Sequence, residues 1–523
     1  MAELSTTLGI LAIVAILYEV ARRVGVPYPT LLVVGGLLVA LVPEAPNLAL
    51  EPDVVLLVFL PPLLFSAAFE IPLRELRTYR GPIIRLSIGL VLFTAVLVAA
   101  TTHAVIPSLD WAAALTLGAI VAPTDALAAT SVFRRIGAPR VVRTLIEGES
   151  LFNDATALVT YRFAVIAAMS GTFVLADAAG GYVAAIVGGS VVGWLVGRGS
   201  SEVVRRLDNP TVEVAVSLLI PYAAYLPAEE LGFSGVLGAV VAGLIVGRRL
   251  GTILSPSSRI LWLSTWKMLG FVLNGFAFIL IGLQLPEIVA GLGGYTTAEL
   301  VGLAALVIGV VVGARIVWVF VFSLLPGSPR QTLLPNDRRL ARWLTFLVSW
   351  AGLRGAVSLA AALALPVDFP ARHLILFLTF AVILATLVGQ GLTLSYVLRR
   401  AAWNGVEPDA EGSTDEPTNA HSVAYAAGLD EVARLRPRWP GHLPLLDRLE
   451  SGLRDRSDHL ATEDPDETAE RHQERVEHEE IQRDVIGAQR TAVTELRDRR
   501  EINDATLREI ERELDLEELR MEG

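Results

Sequence analysis

The sequence predicts an all-α polytopic membrane protein with thirteen transmembrane helices, built as an inverted repeat with two interrupted helices and followed by a cytoplasmic helical tail. The first observation is composition: 53% of the 523 residues are hydrophobic and the mean hydropathy is +0.55, too apolar for an ordinary soluble chain. The second is a series of apolar stretches in the first 400 residues. The third is that arginines occupy every second loop between them.

The apolar stretches are about 15 to 25 residues long, which is the length a helix needs to cross a hydrocarbon core of about 30 Å. They are numbered here as segments 1 to 13 and lie near 5–21, 29–43, 54–70, 83–103, 111–133, 145–168, 175–197, 210–228, 233–247, 260–285, 299–325, 343–365 and 372–397. Segment 1 is not expected to be a cleavable signal peptide, because residues 1–7 carry Glu3 and no basic side chain. The chain has no cysteine, and we predict no cofactor.

The loops that follow odd-numbered segments contain twenty arginines, whereas the loops that follow even-numbered segments contain one, Arg372. Basic loops stay in the cytoplasm. The amino terminus is therefore predicted outside the cell membrane and the carboxyl terminus inside. Because the number of segments is odd, segments 1–6 and 8–13 would form two repeats of opposite orientation, joined by segment 7. This is a common plan of secondary transporters.

Segments 5 and 12 occupy corresponding positions in the two repeats, and both contain helix-breaking residues. Segment 5 is interrupted around Pro123, and segment 12 around the glycines of 352–355. Asp125 would lie beside a new helix amino terminus and Arg354 after a helix carboxyl terminus, where their charges are favoured. Paired interruptions of this kind point to a binding site near the membrane midplane.

Segment 6 carries the polar residues that suggest chemistry. A carboxylate at bilayer depth costs roughly 2.5 to 3.5 kcal/mol even on lenient insertion scales, so it marks an ion or proton pathway by default. Ser150 and Asp154 share one helix face, and Glu149 and Asn153 share the next. Hard oxygen ligands suit small alkali cations, and burial favours the protonated form of a carboxyl group. A proton and a cation would then compete for one group, which predicts cation/proton exchange.

Three motifs carry a family resemblance: APTDALAATSV at 122–132, GESLFNDATALV at 148–159 and SWAGLRGAVSLAAALALP at 349–366. In this order they resemble the monovalent cation/proton antiporter superfamily, in particular its NhaP-type branch, which is kin to eukaryotic sodium/proton exchangers. The resemblance covers about residues 5–400. It implies that segments 4–6 and 11–13 form an ion-carrying core, while segments 1–3 and 8–10 form a scaffold that dimerises.

The resemblance also implies which residues bind the cation and the proton. Asp154 would hold them alternately, and Ser150 and the backbone or hydroxyl of Thr124 would be co-ligands of the transported Na⁺. Glu70, at the cytoplasmic end of segment 3, matches an acidic residue that joins the site in some relatives. A helix-end glutamate is equally compatible with a solvated surface charge, and both readings stay open.

The resemblance further implies that five other residues support the site without binding the cation. Asp125 and Asn153 would fix the two crossed half-helices. Glu149 would pair with Arg315 of segment 11, because intramembrane charges need partners. Arg354 would balance the broken segment 12.

The expected function is exchange of Na⁺ (or Li⁺) for H⁺ across the cell membrane, for pH and sodium homeostasis, with K⁺/H⁺ antiport as the alternative. Asn153 stands where electrogenic relatives tend to carry an aspartate, so a one-for-one electroneutral cycle is predicted. An enzyme is not expected: the GxGD and PAL motifs of intramembrane aspartyl proteases are missing, and so is the P-loop of an ATP-driven pump. Thirteen segments in inverted halves also argue against a passive channel.

The tail at 401–523 has a different composition. It contains 32 acidic residues and 16 arginines, a net charge of −16, which leaves +5 on the transmembrane domain at 1–400. Apolar residues recur at helical spacing from Ile481 to Leu514, as in a small helical unit, although a partly disordered tail is the alternative. The sequence has no basic or aromatic patch of the kind that binds nucleic acid. The expected partners are therefore the lipid bilayer and a second copy of the same chain.

Overall fold

The computed structural model describes residues 2–24, 26–40, 52–136, 140–171, 175–323, 338–400 and 415–460, together with 481, 485–496, 499, 501, 506–507, 510 and 514. The chain divides into two compact units, Met1–Pro408 and Asp409–Gly523. Within the described ranges the secondary structure is helical and no strand occurs. The predicted all-α fold class is confirmed.

The first unit is built from long helices and two pairs of half-helices. They are α1 Ala2–Val24, α2 Tyr28–Ala40, α3 Pro52–Glu70, α4 Leu73–Thr78, α5 Arg80–Val105, α6 Trp111–Val121, α7 Ala126–Ile136, α8 Arg140–Ser170, α9 Leu175–Val204, α10 Pro210–Glu230, α11 Gly235–Ile253, α12 Pro256–Leu283, α13 Leu285–Ala290, α14 Thr297–Ser323, α15 Arg338–Trp350, α16 Ala356–Leu363 and α17 Arg372–Arg400. Helices α5 and α17 each contain a π-helical turn, at Arg85–Leu90 and Ala385–Gln390.

Each of the thirteen predicted segments falls on one of these helices or on a pair of half-helices. Among the described residues, seven helices are long and apolar enough to cross a membrane: α5, α9, α10, α11, α12, α14 and α17. Three further helical stretches are apolar but shorter, namely α2, residues Leu57–Glu70 of α3, and α6. The structure thus supports a helical, membrane-spanning fold, while the count of thirteen spans stays a prediction.

Both predicted interruptions are present. Segment 5 is divided between α6, which ends at Val121, and α7, which begins at Ala126. Segment 12 is divided between α15, which ends at Trp350, and α16, which begins at Ala356. Proline lacks the N–H that the helical ladder requires, which accounts for the break at Pro123. The unwound residues leave helix ends inside the apolar unit.

Glycines bring several helices into backbone contact. A Cβ atom on Gly36 of α2 would lie 2.2 Å from the carbonyl oxygen of Ile279 on α12. One on Gly247 of α11 would lie 2.4 Å from the carbonyl oxygen of Phe69 on α3. Since real Cβ atoms do not approach so closely, only glycine permits these two contacts. They fix α2 against α12 and α3 against α11.

The second unit contains α18 Asp415–Leu435, a 3₁₀ turn at Pro440–His442, α19 Leu443–Leu460 and a helix over 485–496. Arg436 joins the two longer helices by ion pairs to Asp447 and Glu450. The composition of residues 404–419, rich in proline, glycine and aspartate, predicts a linker, but α18 already begins at Asp415. Pro417 lies in the first turn, where its missing N–H costs no helical hydrogen bond. The predicted helical spacing in 481–514 agrees with the helix over 485–496.

Candidate cation-binding site

The two helix breaks are in direct contact. The backbone N–H of Asp125 donates a 2.8 Å hydrogen bond to the carbonyl of Leu353. The backbone at Gly355 passes so close that a Cβ atom there would lie 1.9 Å from Oδ2 of Asp125. The unwound residues of segments 5 and 12 therefore meet inside the first unit, although more than 200 residues separate them in sequence.

Two side chains hold the amino terminus of the second half-helix, α7. Oδ1 of Asp125 accepts a hydrogen bond from the N–H of Leu127 at 2.8 Å, and Oγ of Ser150 accepts one from the N–H of Ala126 at 3.2 Å. The first N–H groups of a helix have no partner within the helix, and negative charge is favoured beside them. Asp125 therefore has the structural position that we predicted. Ser150 caps α7, and because a hydroxyl oxygen has two lone pairs, this hydrogen bond leaves one of them unused.

Arg354 donates hydrogen bonds to backbone carbonyls at both helix breaks. Its Nη1 donates to the carbonyl of Gly352 at 2.7 Å, in its own interrupted segment. Its Nε donates to the carbonyl of Val121 at 2.9 Å, the last residue of α6. The side chain is 1% exposed. We expected Arg354 to balance segment 12, and the structure shows that it also serves the carboxyl end of the other broken helix.

Glu149 and Arg315, predicted as partners, form a buried ion pair in which each is 1% exposed. Nη1 of Arg315 contacts Oε1 of Glu149, and Nη2 donates to Oε2 at 2.9 Å. Arg315 also donates to the carbonyl of Val348 from Nε (3.2 Å) and Nη2 (2.9 Å). Oε1 of Glu149 further accepts from the hydroxyl of Thr124 at 2.8 Å. The Glu149 carboxylate is thus neutralised within the protein.

Asn153 connects segment 6 to the first break. Its Nδ2 donates to the carbonyl of Thr124 at 3.1 Å and to the Thr124 hydroxyl at 2.8 Å. The Thr124 hydroxyl therefore both accepts from Asn153 and donates to Glu149. A backbone carbonyl can accept twice, so the Thr124 carbonyl has capacity for a cation where the hydroxyl is already engaged.

Asp154 differs from the other two carboxylates. It lies one helical turn after Ser150 on α8 and is only 6% exposed. In the part of the chain that the structure describes, it has no hydrogen-bond donor and no basic side chain within ion-pair distance. Among the described residues, Asp125 acts on Asp154 as a like charge. Asp154 is therefore a buried acidic group whose charge the described residues leave uncompensated.

The comparisons with known proteins agree with this geometry. The sequence profile described as sodium/hydrogen exchanger, transmembrane, matches residues 9–400. The chain belongs to this family. The exchanger is 35% identical over 532 residues to an uncharacterised Na⁺/H⁺ exchanger of Mycobacterium tuberculosis, which covers 98% of this chain and 96% of that protein. It is also 34% identical to the sodium, potassium, lithium and rubidium/H⁺ antiporter of Bacillus subtilis, over 73% of this chain and 59% of that one.

The exchanger also resembles a solved structure, the sodium proton antiporter MjNhaP1 from Methanocaldococcus jannaschii. The TM-score is 0.58 at 20% identity, over 76% of this chain and 99% of that one. At this identity the likeness establishes the fold. Together, the family and the fold confirm the predicted membership of the NhaP-type branch.

Glu70 lies apart from the other candidate ligands of the exchanger. It ends α3 and is exposed, so it is not buried with them.

Thr386 is a residue of the site that the sequence analysis did not single out. Its hydroxyl accepts a hydrogen bond from the backbone N–H of Arg354 at 3.1 Å and donates one to the carbonyl of Val382 at 2.8 Å. It lies in the π-helical turn of α17. A threonine in an apolar helix is too common for the sequence to have indicated this contact.

Proposed function

We propose that this exchanger moves Na⁺ or Li⁺ against H⁺, one for one, with Asp154 as the group that binds them alternately. The supporting observation is the difference between the acidic residues: Glu149 has Arg315, Asp125 has the amino terminus of α7, and Asp154 has no described counter-charge. A buried carboxylate without a partner is costly. A bound proton and a bound cation each remove that cost, and they cannot do so together.

Oxygen atoms are the ligands that suit a small alkali cation. Ser150 lies on the same face of α8, and the carbonyl of Thr124 lies at the break that Asn153 fixes to α8. These three residues form the proposed ligand set. Glu70 would join it only if movement of the core brought the end of α3 closer, which agrees with its exposed position.

The first prediction is that Asp154→Asn abolishes exchange and leaves the protein folded, because an amide cannot exchange a proton for a cation at neutral pH. Exchange is measured in proteoliposomes with an internal pH dye after a sodium pulse. Folding is checked by the elution profile and thermal midpoint in detergent. Glu149→Gln is a useful contrast, since it perturbs the ion pair and should lower the thermal midpoint. Wild-type exchange rates in Asp154→Asn would disprove the proposal.

The second prediction is electroneutrality. One net charge per cycle would couple transport to voltage at about 2.3 kcal/mol per 100 mV. With Asn153 unable to titrate and Glu149 paired, only Asp154 should change its occupant. Proteoliposomes with equal pH and sodium on both sides receive a potassium-diffusion potential through valinomycin. We expect no net sodium uptake; uptake that depends on Asp154 would show an electrogenic cycle.

Potassium is the alternative cation. The Bacillus subtilis relative is named for exchange of sodium, potassium, lithium and rubidium, which gives this alternative a specific basis. The same proteoliposome assay with sodium, lithium and potassium pulses separates the two functions: a dye response to potassium alone would replace Na⁺/H⁺ exchange by K⁺/H⁺ exchange.

The proposed topology places the amino terminus outside the cell membrane, with transport by movement of a core against a dimeric scaffold. The absence of cysteine makes the orientation testable, because single cysteines can be introduced into an otherwise unreactive chain. A membrane-impermeant maleimide should label Ser5→Cys on intact cells and should not label Thr78→Cys. Labelling of Thr78→Cys alone would reverse the orientation.

A further inference from the structure

Three arginines line one cavity outside the cation site. The cavity has a volume of about 460 Å³ and is bounded by Leu73, Arg74, Arg77 and Thr78 of α4 and by Arg248 of α11. All three arginines are exposed. Within the described residues, none of their guanidinium groups forms an ion pair or a hydrogen bond. We call this cavity the arginine pocket.

Packing of the flanking helices brings these arginines together. Arg74 and Arg77 are three residues apart and so lie on one face of α4. Helix α4 begins three residues after α3 ends, and α3 is held to α11 by the contact between Gly247 and the Phe69 carbonyl. Arg248 follows Gly247 directly. The pocket therefore lies beside the backbone contact between α3 and α11.

The acidic residue of α4 is engaged elsewhere. Glu75 accepts a hydrogen bond from the hydroxyl of Thr144 on α8, and it does not line the pocket. Three positive charges consequently converge on a space that no carboxylate of the described residues lines. Guanidinium groups bind phosphate through paired, charge-assisted hydrogen bonds, which makes arginine the preferred residue for phosphate recognition.

We propose that the arginine pocket binds a phosphate group carried by the head group of an anionic phospholipid. The pocket lies where α3 and α11 end, beside loops that belong to the arginine-rich side of the protein. Basic pockets between membrane helices on the cytoplasmic side are suited to such head groups. The cavity is larger than one phosphate and leaves room for a glycerol head group. Assignment to the inner leaflet rests on the proposed topology, whereas phosphate binding does not.

The occupant would also restrain the cation-carrying helix. Leu76 of α4 packs against α8 at Gly148, where a Cβ atom would lie 3.4 Å from the leucine Cδ2. Gly148 immediately precedes Glu149, and Thr144 holds Glu75 one turn earlier. A phosphate that bridges α4 and α11 would therefore stabilise α4 against α8, so bound lipid should raise the thermal midpoint of the protein.

The test uses the purified full-length exchanger in a neutral detergent, titrated with phosphatidylglycerol or, separately, with phosphatidylcholine. The thermal midpoint is followed against lipid concentration for the wild type and for the triple variant Arg74→Gln, Arg77→Gln, Arg248→Gln. We expect phosphatidylglycerol to raise the wild-type midpoint and phosphatidylcholine to leave it unchanged. The pocket variant should need about 100-fold more phosphatidylglycerol, since each arginine near an anionic lipid contributes roughly a fivefold factor.

A matched control removes the same charge from the same predicted side. Arg198→Gln, Arg205→Gln, Arg206→Gln changes three exposed arginines at the end of α9, none of which lines the pocket. This control should respond to phosphatidylglycerol like the wild type. Equal weakening in the control and the pocket variant would mean that overall surface charge attracts the lipid, and it would overturn the proposal.

Two further outcomes identify the source of the ligand. If inorganic phosphate protects the wild type as well as phosphatidylglycerol does, and the pocket variant loses this protection, phosphate recognition stands and the lipid source is wrong. The second outcome has two parts: the pocket variant is already less stable than the control in phosphatidylcholine, and phosphatidylglycerol stabilises neither the pocket variant nor the wild type. In that case an acidic protein segment occupies the pocket, and the proposal fails. Because binding is read without transport, either result is independent of Asp154.

Discussion

The ion pair between Glu149 and Arg315 offers the sharpest test of the site's energetics. Each side chain is 1% exposed, and two hydrogen bonds join them. Replacement of either residue by alanine leaves the other charge buried without its partner. Replacement of both removes both charges. We therefore expect each single variant to be strongly destabilised, and the double variant to be less destabilised than the sum of the two.

The magnitude follows from the contacts. A stranded buried charge typically costs about 3 to 5 kcal/mol. In Glu149→Ala the Thr124 hydroxyl also loses its acceptor, and in Arg315→Ala the Val348 carbonyl loses both of its side-chain donors. Each such loss costs about 1 to 3 kcal/mol and persists in the double variant. Neither charge is stranded in the double variant, so the costs of both stranded charges cancel, and the coupling free energy should reach at least about 3 kcal/mol, the upper end of the range for residues in contact.

The assay is equilibrium unfolding of the purified protein in mixed micelles of a neutral detergent and dodecyl sulfate, followed by fluorescence of its nine tryptophans. The control cycle uses Arg162 and Glu229, an exposed pair at 3.8 Å. Exposed pairs contribute below about 1 kcal/mol, so this cycle should be nearly additive. Additivity within about 0.5 kcal/mol at Glu149 and Arg315 would refute the reasoning, because it would show that the two side chains do not interact.

Two further predictions concern the crossing of the broken helices. Gly355→Ala should reduce both stability and exchange in the unfolding and dye assays, because its Cβ atom would lie 1.9 Å from Oδ2 of Asp125. The control is Gly309→Ala, where a Cβ atom meets nothing within 4 Å, and it should behave like the wild type in the same assays. Thr386→Val should slow exchange and destabilise the protein by about 1 to 3 kcal/mol, since the N–H of Arg354 loses its acceptor, and Thr386→Ser should restore both properties. Unchanged unfolding in Gly355→Ala, or failure of the serine variant to recover, would contradict the geometry.

Local features of the sequence were sufficient for much of the fold. Hydropathy located helices at all thirteen segments, because spans that face lipid must be apolar for a fixed length. The positions of Pro123 and of the glycines at 352–355 located the two interruptions, since both residue types act on their own backbone. The onset of α18 at Asp415 was misjudged because a polar, proline-containing helix start resembles a linker.

The candidate site also has a part that could be predicted from the sequence and a part that could not. Asp154, Ser150 and the charged residues of segment 6 could be singled out from the sequence, because an acidic residue in an apolar span is exceptional wherever it lies. Spacing along one helix also predicted which of them share a face.

Only the tertiary structure decided which distant groups meet. Arg354 reaches the Val121 carbonyl, 233 positions earlier in the chain, and Thr386 meets the N–H of Arg354. Arg248 joins the arginines of α4 because Gly247 packs on Phe69. These contacts depend on how helices far apart in sequence cross, and no local pattern encodes a crossing. The sequence by itself determined which residues must be neutralised and, through the family resemblance, paired Glu149 with Arg315. The packing of the helices determined that the described residues leave Asp154 uncompensated.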